Sequence, residues 1–525
     1  MKSYLGRERP CHTGAFCLRA PKLKTYNKPV GKCGKEGTPG AKMSIKDIHF
    51  FFPPSMPEYR IPNMGMTQLC AWLRKHRFSA GQTDLNIILQ SQARESGVAA
   101  PFFGPATSYD GKLWNPDGPY YPLRRTLETA KHPPKVYEEL YKKHVRPALR
   151  NCRCAGFSIS SGEQITQALY FSIAAKRDYP KIKTVFGGPW AGASWTALEH
   201  WPEFFACADY VIGGPGELPL AALLRALRKK TPLSKVPSLA RLVDGRVEKT
   251  PFAPPPPIEK IPPPVFDGLD LKLYPKLVLP YQTMSGCGWG RCRFCGALEQ
   301  AGAYKIKSVE KAARELAMLT ARYKPECFTF ADLDSSVRMM DALSVRLIED
   351  GVKLKWFTMI RATRELTPEV AHRLAKAGCI QLYIGLETAS PSGLKKLDKC
   401  LDLSVLDANI DACAAADIKI SLSVLNYPGQ TEKEFKDTLD FVLNRKSKVQ
   451  TAGIKRFDLP RTVAATDKWY GKDVPEQNLD LNSFNLPFIY GSGISEQKFR
   501  TLRERTAHAL RGENNPSGQR MGTQK

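Results

Sequence analysis

The chain has 525 residues, 42% of them hydrophobic and 25% charged, with a formal charge of +27. This composition excludes a fibrous or wholly disordered protein and implies about two to four domains. The charge is uneven, with +8 in residues 1–42 and +4 in residues 496–525, so the middle is only moderately basic and nucleic acid is not an expected partner. No stretch approaches the roughly 18–20 apolar residues that span a bilayer. The N-terminus lacks the apolar core of a secretory signal. A cytoplasmic, reducing setting is expected, where the 14 cysteines read as thiols or metal ligands before disulfides.

In chain order, residues 1–42 read as a basic disordered tail, and their Cys11, Cys17 and Cys33 fit no familiar metal spacing. Residues 43–250 read as a first domain. Ile45–Phe52 is an apolar strand stopped by Pro53-Pro54, and Met66–Arg77 has helical spacing with a basic last turn. Residues 98–135 form an insertion rich in Pro, Gly and aromatics, followed by a helix over 134–150. Strands ending Ser158-Ile-Ser160-Ser161, Gly187-Gly188 and Gly213-Gly214 alternate with helices over 166–177 and 218–229. Strand–helix alternation predicts a parallel sheet covered by helices. Its small residues fall at the carboxyl ends of strands, where open α/β sheets bind ligands.

The Pro-dense stretch 251–274 reads as a linker. Over 275–470 alternation resumes, with strands expected near 278–284, 326–331, 354–360, 379–385, 418–424 and 451–457 and helices such as 308–323 and 367–377. Six βα units of this length suggest a partial parallel barrel. Residues 471–525 are an extension with one basic helix near 495–511.

The strongest chemical signal is Ser285-Gly-Cys287-Gly-Trp-Gly-Arg-Cys292-Arg-Phe-Cys295, three cysteines spaced C-x4-C-x2-C after a strand. Thiolates select zinc, copper(I) or iron–sulfur centres. Four would close a structural zinc site. Three suggest a cluster with one open iron. A zinc knuckle completed by Cys327 or a His is the competing reading.

This loop, with Phe294 before its last Cys, resembles the cluster loop of radical S-adenosylmethionine (SAM) enzymes. Its x4 spacing and internal Gly-Trp-Gly resemble the branch with an N-terminal cobalamin-binding domain. The likeness continues through Phe328–Asp334, Trp356–Ala362, Ala377–Thr388 and Leu425–Thr431, and upstream through Gly156–Ser161, Val185–Pro189 and Ala208–Glu217. It implies an α/β chain with a Rossmann-like cobalamin-binding domain followed by a partial (β/α)6 radical SAM barrel. Cys287, Cys292 and Cys295 would hold a 4Fe–4S cluster. Phe294, Asp332, Arg361, Glu387, Ser423 and Asn426 would contact SAM, with Asp334 close enough to take the role of Asp332. Ser158, Ser160, Ser161, Gly187, Gly188, Gly213 and Gly214 would receive cobalamin. The sequence has no Asp-x-His-x-x-Gly motif, which leaves Met56 or Tyr59 near the lower face of the cobalt.

The activity implied is methyl transfer to an unactivated carbon of a natural product or peptide, with SAM cleaved to a 5′-deoxyadenosyl radical. Cyclisation, ring contraction or oxidation with the same cofactors is the alternative, and a basic zinc protein binding nucleic acid is another. A small-molecule or peptide substrate and an electron-donating reductase, flavodoxin or ferredoxin are the partners implied. One departure stands out: Cys400 follows Leu397-Asp-Lys399, where the family usually has Lys-Gly.

Overall fold

The computed structural model describes residues 45–55, 60–97, 127, 130–162, 164–296, 303–460, 485–486 and 493–511. The tail cysteines, Met56, Tyr59 and most of the 98–135 insertion and the 471–525 extension lie outside the described residues. The chain from Ile45 onward is one compact unit built on two sheets.

The first sheet has the order β2-β1-β3-β4-β5-β6-β7. Its strands are β1 (Lys46–Phe52), β2 (Ala80–Asp84), β3 (Cys152–Ser158), β4 (Lys183–Gly187), β5 (Tyr210–Ile212), β6 (Leu239–Val243) and β7 (Arg246–Lys249). The first five are parallel, and β6 and β7 add an antiparallel hairpin. Both faces are buried, as a parallel sheet requires. Ile48, Phe50 and Phe52 pack on one side and Phe51, Phe157 and Phe186 on the other. Helices α1 (Met64–Lys75), α2 (Leu85–Ser96), α3 (Lys135–Leu140), α4 (Gln164–Asp178), α5 (Pro189–Ala193) and α6 (Glu217–Lys229) cover it. Asn63 and Asp84 cap α1 and α2 by accepting backbone N–H groups of Met66 and Ile87. The strand order reverses between β1 and β3, a topological switch point.

The second sheet is wholly parallel, in the order β15-β14-β13-β12-β11-β8. It comprises β8 (Val278–Tyr281), β11 (Cys327–Phe330), β12 (Trp356–Ile360), β13 (Cys379–Glu387), β14 (Lys419–Asn426) and β15 (Val449–Arg456). A short pair, β9 (Met284–Ser285) and β10 (Lys305–Ile306), brackets the cysteine loop. Helices α7 (Val309–Tyr323), α8 (Val337–Glu349), α9 (Pro368–Lys376), α10 (Pro391–Lys396), α11 (Leu403–Ala415) and α12 (Glu432–Leu443) make the crossovers, and α13 (Glu496–Arg511) follows. All six expected strands and the expected helices are present within a few residues. Sequential order with unclosed ends is a partial (β/α)6 barrel. Trp356 stacks on Phe330 at 5.0 Å in its core.

Among the elements that carry no expectation from the sequence are β2, α2 and the β6–β7 hairpin. β2 (Ala-Gly-Gln-Thr-Asp) is polar because it is an edge strand whose Gln82 side chain bonds outside the sheet. The β6–β7 hairpin turns at Asp244-Gly245, with φ of 47° and 77°, the two-residue turn that Asp-Gly favours.

The Pro-rich segment is docked along both sheets. On the first side, Gln68 donates to Pro262 O (2.7 Å), Gln82 to Val265 O and Asp267 O (2.8 and 3.0 Å), and Tyr274 to Asp84 Oδ2 (2.7 Å). On the other, Tyr323 donates to Asp267 (3.0 Å), and Ser308 donates its backbone N–H to Glu259 (2.9 Å). Polyproline backbone leaves carbonyls unpaired, and these side chains satisfy several of them.

Beneath the cysteine loop lies a buried charge set. Glu315 accepts from Tyr281 Oη (2.7 Å), Lys307 Nζ (2.8 Å) and Lys311. Burial pulls the Lys307 pKa down, with Glu315 opposing. Glu315→Ala strands Lys307 and is expected to cost about 3–5 kcal/mol in denaturant unfolding; a loss under about 1 kcal/mol would contradict this. Asp84 titrates differently: burial raises it from 3.8 to about 6, against bonds from Ile87 and Tyr274. The folded state thus binds this proton more tightly than the unfolded state. The resulting stabilisation is whole below about pH 4, and about 3 kcal/mol is lost as pH rises through about 6. Asp84→Asn should remove that slope from unfolding curves taken across this range, and an unaltered slope would refute the assignment.

Candidate functional site

The barrel's strand ends converge on the cysteine loop. Gly385, Ser423 and Gly453 lie side by side across β13, β14 and β15. The space over Gly385 is taken by Lys399 and Glu387, whose nearest atoms a Cβ there would meet at 2.5 and 2.7 Å. The loop 286–296 leaves β9 and carries Cys287, Cys292 and Cys295, all half-buried. Burial pushes the Cys292 thiol up to about 11, Lys399 acts in the opposite sense, and Cys295 and Cys287 add to the rise. The three sulfurs are therefore electrostatic neighbours. Among the described residues, no three His, Cys, Asp or Glu side chains converge as ligands of a single ion.

The loop has little regular structure and is seated on a distant turn. Trp289 Nε1 donates to Asp398 O (2.7 Å), Arg291 pairs with the Asp398 carboxylate (3.2 Å), and Arg293 N donates to Leu397 O (3.1 Å). The Arg291 and Arg361 guanidinium groups lie 4.6 and 5.4 Å from the Trp289 ring centre.

The two acids after β11 divide the work. Asp332 is committed to the chain itself: Oδ1 accepts from Thr283 N (2.9 Å) and Met284 N (3.0 Å), and Oδ2 from the Thr283 hydroxyl and Ser335 Oγ (2.9 Å). It pins the root of the cysteine loop to β11 rather than presenting a free carboxylate. Burial raises its pKa against those bonds. Asp334 instead faces the loop, 3.5 Å from Cys287 Sγ and 3.4 Å from Arg361 Nε, and accepts from Arg361 N (3.2 Å). Arg361 Nη1 is buried without a hydrogen-bond partner, so this guanidinium retains a donor for a bound anion.

Glu387 ends β13 in a left-handed conformation (φ 62°), where the β13–β14 register shifts. A Glu held there is strained. Its Oε1 accepts from Lys399 Nζ (3.3 Å) and Ser423 Oγ (3.0 Å). Lys399 also lies 5.8 Å from the Phe294 ring. Asn426, by contrast, donates to Gln430 (2.9 Å) within the buried turn after β14.

At the end of the first sheet, Ser158 donates to Asn63 Oδ1 (3.3 Å), and Asn63 Nδ2 donates to Ser160 (3.3 Å). Gln164 Oε1 accepts from Ser160 N (2.7 Å) and Ser161 N (3.2 Å), while its amide donates to Pro53 O (2.6 Å). Ser161 and Ser55 hydroxyls meet at 3.3 Å. The switch-point crevice thus carries a rim of hydroxyls bridging β1 and β3. Gly188 has φ +93°, and a Cβ there would meet Ile159 O at 2.5 Å, so it serves the chain's own packing. Gly213 lies against Trp195 and Phe252, whose rings a Cβ would meet at 2.6–2.7 Å. Gly187 and Gly214 have looser surroundings, with nearest atoms at 3.6 and 3.5 Å.

Asn63, Gln164, Asp398 and Lys399 had not been singled out by sequence. Asn63 announces itself only as a helix cap. Gln164 bonds the nearby Ser160 and Ser161 backbone as well as Pro53, whereas Asp398 and Lys399 meet Trp289, Arg291 and Phe294 of the cysteine loop far along the chain.

Comparison with known proteins fits this geometry. Residues 281–442 match the Radical SAM superfamily. An uncharacterized methyltransferase of Pyrococcus horikoshii is 28% identical over 299 residues, 53% of this chain and 62% of that protein, so the chain spans less than two thirds of this relative. Among solved structures, the radical SAM methyltransferase TsrM from Kitasatospora setae, with cobalamin and a 4Fe–4S cluster bound, aligns at TM-score 0.58 and 16% identity over 79% of this chain and 73% of its own. The cobalamin-dependent SAM radical enzyme OxsB, with aqua-cobalamin and SAM bound, aligns at TM-score 0.61 and 14% identity over 88% of this chain and 66% of its own. The fold is therefore shared with both.

If Asp332 braces the loop root, Asp332→Asn should speed alkylation of Cys287, Cys292 and Cys295 about tenfold in protein free of metal. That follows from losing charge-assisted bonds of about 1.5–3 kcal/mol. Peptide mass mapping reads the rates, and unchanged rates would remove the bracing role.

Proposed function

We propose that this chain, whose residues 281–442 form a radical SAM domain, is a cobalamin-dependent radical SAM methyltransferase acting on an unactivated carbon of a small molecule or peptide. The observation that carries it is the C-x4-C-x2-C loop held at the open mouth of a six-stranded parallel barrel, beside a second parallel sheet with a hydroxyl-rimmed switch point. In this reading 43–250 is the cobalamin domain, 251–274 the joint and 275–470 the radical SAM barrel.

The donor sets suit the groups. Cys287, Cys292 and Cys295 supply three soft thiolates in one glycine-rich loop, the number a cluster with one open iron takes. When bound, these groups supply one-electron cleavage of SAM and a methyl group transferable to carbon. The chain's own residues bind and orient. Arg361, with its unpartnered Nη1, suits the SAM carboxylate, and Asp334 offers a carboxylate beside the loop for the amine. Glu387 and Ser423 present oxygens at the barrel mouth, and Phe294 gives a ring face for a purine. Asp332 and Asn426 act behind them, holding the loop root and the β14 turn. On the first sheet, Ser158, Ser160 and Ser161, with Gly187 and Gly214, suit a large polar-tailed ligand approaching backbone. Gly188 and Gly213 shape that edge from behind.

A low-potential reductase, flavodoxin or ferredoxin is the electron source in this reading. Among the described residues the eleven cysteines form no disulfide with one another, and this reading places the chain in a reducing compartment. Among the described residues no helix is long and apolar enough to cross a membrane.

The test is anaerobic reconstitution with iron, sulfide, cobalamin and methyl-labelled SAM under strong reductant. Expected are about four irons per chain, 5′-deoxyadenosine, and label in a product about 14 Da heavier. Cys292→Ala should abolish both iron uptake and SAM cleavage. A single bound zinc, or a full cluster with no SAM cleavage, would overturn the reading.

A further inference from the structure

The turn Leu397–Cys400 has no place in the chemistry above, yet the cysteine loop rests on it through Trp289, Arg291 and Arg293. The turn is bent around Lys399. Asp398 and Cys400 on either side both have φ of 49°, a left-handed conformation that side chains resist. The strain at Cys400 explains why Gly would suit that position. It turns Lys399 inward, where the residue is only 8% exposed. A lysine is seldom buried without a partner. Glu387 supplies one at 3.3 Å, and Ser423 steadies that carboxylate at 3.0 Å. Gly385 makes the room, since a Cβ there would come within 2.5 Å of Lys399 Nζ. The ammonium also lies 5.8 Å from the ring of Phe294, the residue just before Cys295.

A cluster on three thiolates gains one negative charge on reduction. A fixed cation nearby, shielded from water, favours the more negative state. Net charge around a cluster is among the determinants of its potential. We propose that Lys399, oriented by Glu387, is a positioning residue that raises the reduction potential of the cluster held by Cys287, Cys292 and Cys295. The inference rests on the assignment of that cluster. Glu387 has two effects on it: its bonds hold the ammonium in place, and its own charge opposes the ammonium's.

The test is an anaerobic potentiometric titration of reconstituted protein without SAM. The reduced cluster is followed by electron paramagnetic resonance, and iron is counted in each sample. Lys399→Met removes the cation and leaves Glu387 uncompensated. It should lower the reduced fraction at fixed potential about tenfold or more, equivalent to about 59 mV for one electron. Glu387→Gln should move the potential the opposite way, and the double variant should return toward wild type. Both variants unchanged at wild-type iron content would overturn the proposal while leaving the cluster assignment intact. If Lys399→Met retains no iron, the double variant is compared with Glu387→Gln: a lower potential in the double variant supports the proposal and an equal one defeats it. Wild-type protein that takes up no iron would remove the cluster assignment and the proposal together.

Discussion

The site depends on how a loop with little regular structure is held in place. Residues 286–296 have no sheet or helix of their own to fix three cysteines. Their position is set from outside, by Asp332 at the root and by the Leu397–Cys400 turn along the length. Both anchors are rigid for reasons that lie deeper. Asp332 sits directly after β11, in the barrel core. The turn follows α10, which Ser390 caps by accepting the Gly393 N–H. A metal group held by such a loop is only as well positioned as these contacts.

Near the site, basic groups are paired or stacked: Arg291 with Asp398 and Trp289, Arg361 with Asp334 and Trp289, Lys399 with Glu387. They form a local system suited to anionic groups such as the SAM carboxylate and reduced thiolate ligands. The Pro-rich segment has an equally specific part. It carries Asp267, which meets Arg74 from α1 and Arg322 and Tyr323 from α7. That shared contact ties the helices of the two sheets together.

Much of the fold was legible because its strands write short apolar runs or an apolar/polar alternation, as in Phe50-Phe-Phe52 and Ile418–Leu425. β2 escaped because an edge strand need not be apolar. The β6–β7 hairpin did leave a mark, the Asp-Gly pair. In the site, the spacing of the cysteines marked a candidate metal loop and left zinc and iron–sulfur both open. The choice between Asp332 and Asp334 was not, because two residues separated by one position after a strand turn in directions set by the loop they meet. Lys399 and Asp398 were hidden for a different reason. Their contacts with the cysteine loop span about a hundred residues, and Asp398 bonds Trp289 through its carbonyl, which any residue type could supply. At Cys400 the departure from Gly was visible in the sequence. Its meaning, a strained turn facing the cysteine loop, required the backbone angles.

The central claim is that three cysteines leave one metal corner open for SAM. It is tested most directly by pulsed electron–nuclear resonance on the reduced, reconstituted protein mixed with SAM carrying nitrogen-15 in its amine and oxygen-17 in its carboxylate. The account predicts hyperfine coupling of both labels to the cluster, which means direct ligation to iron. A fully loaded cluster that shows neither coupling would contradict it.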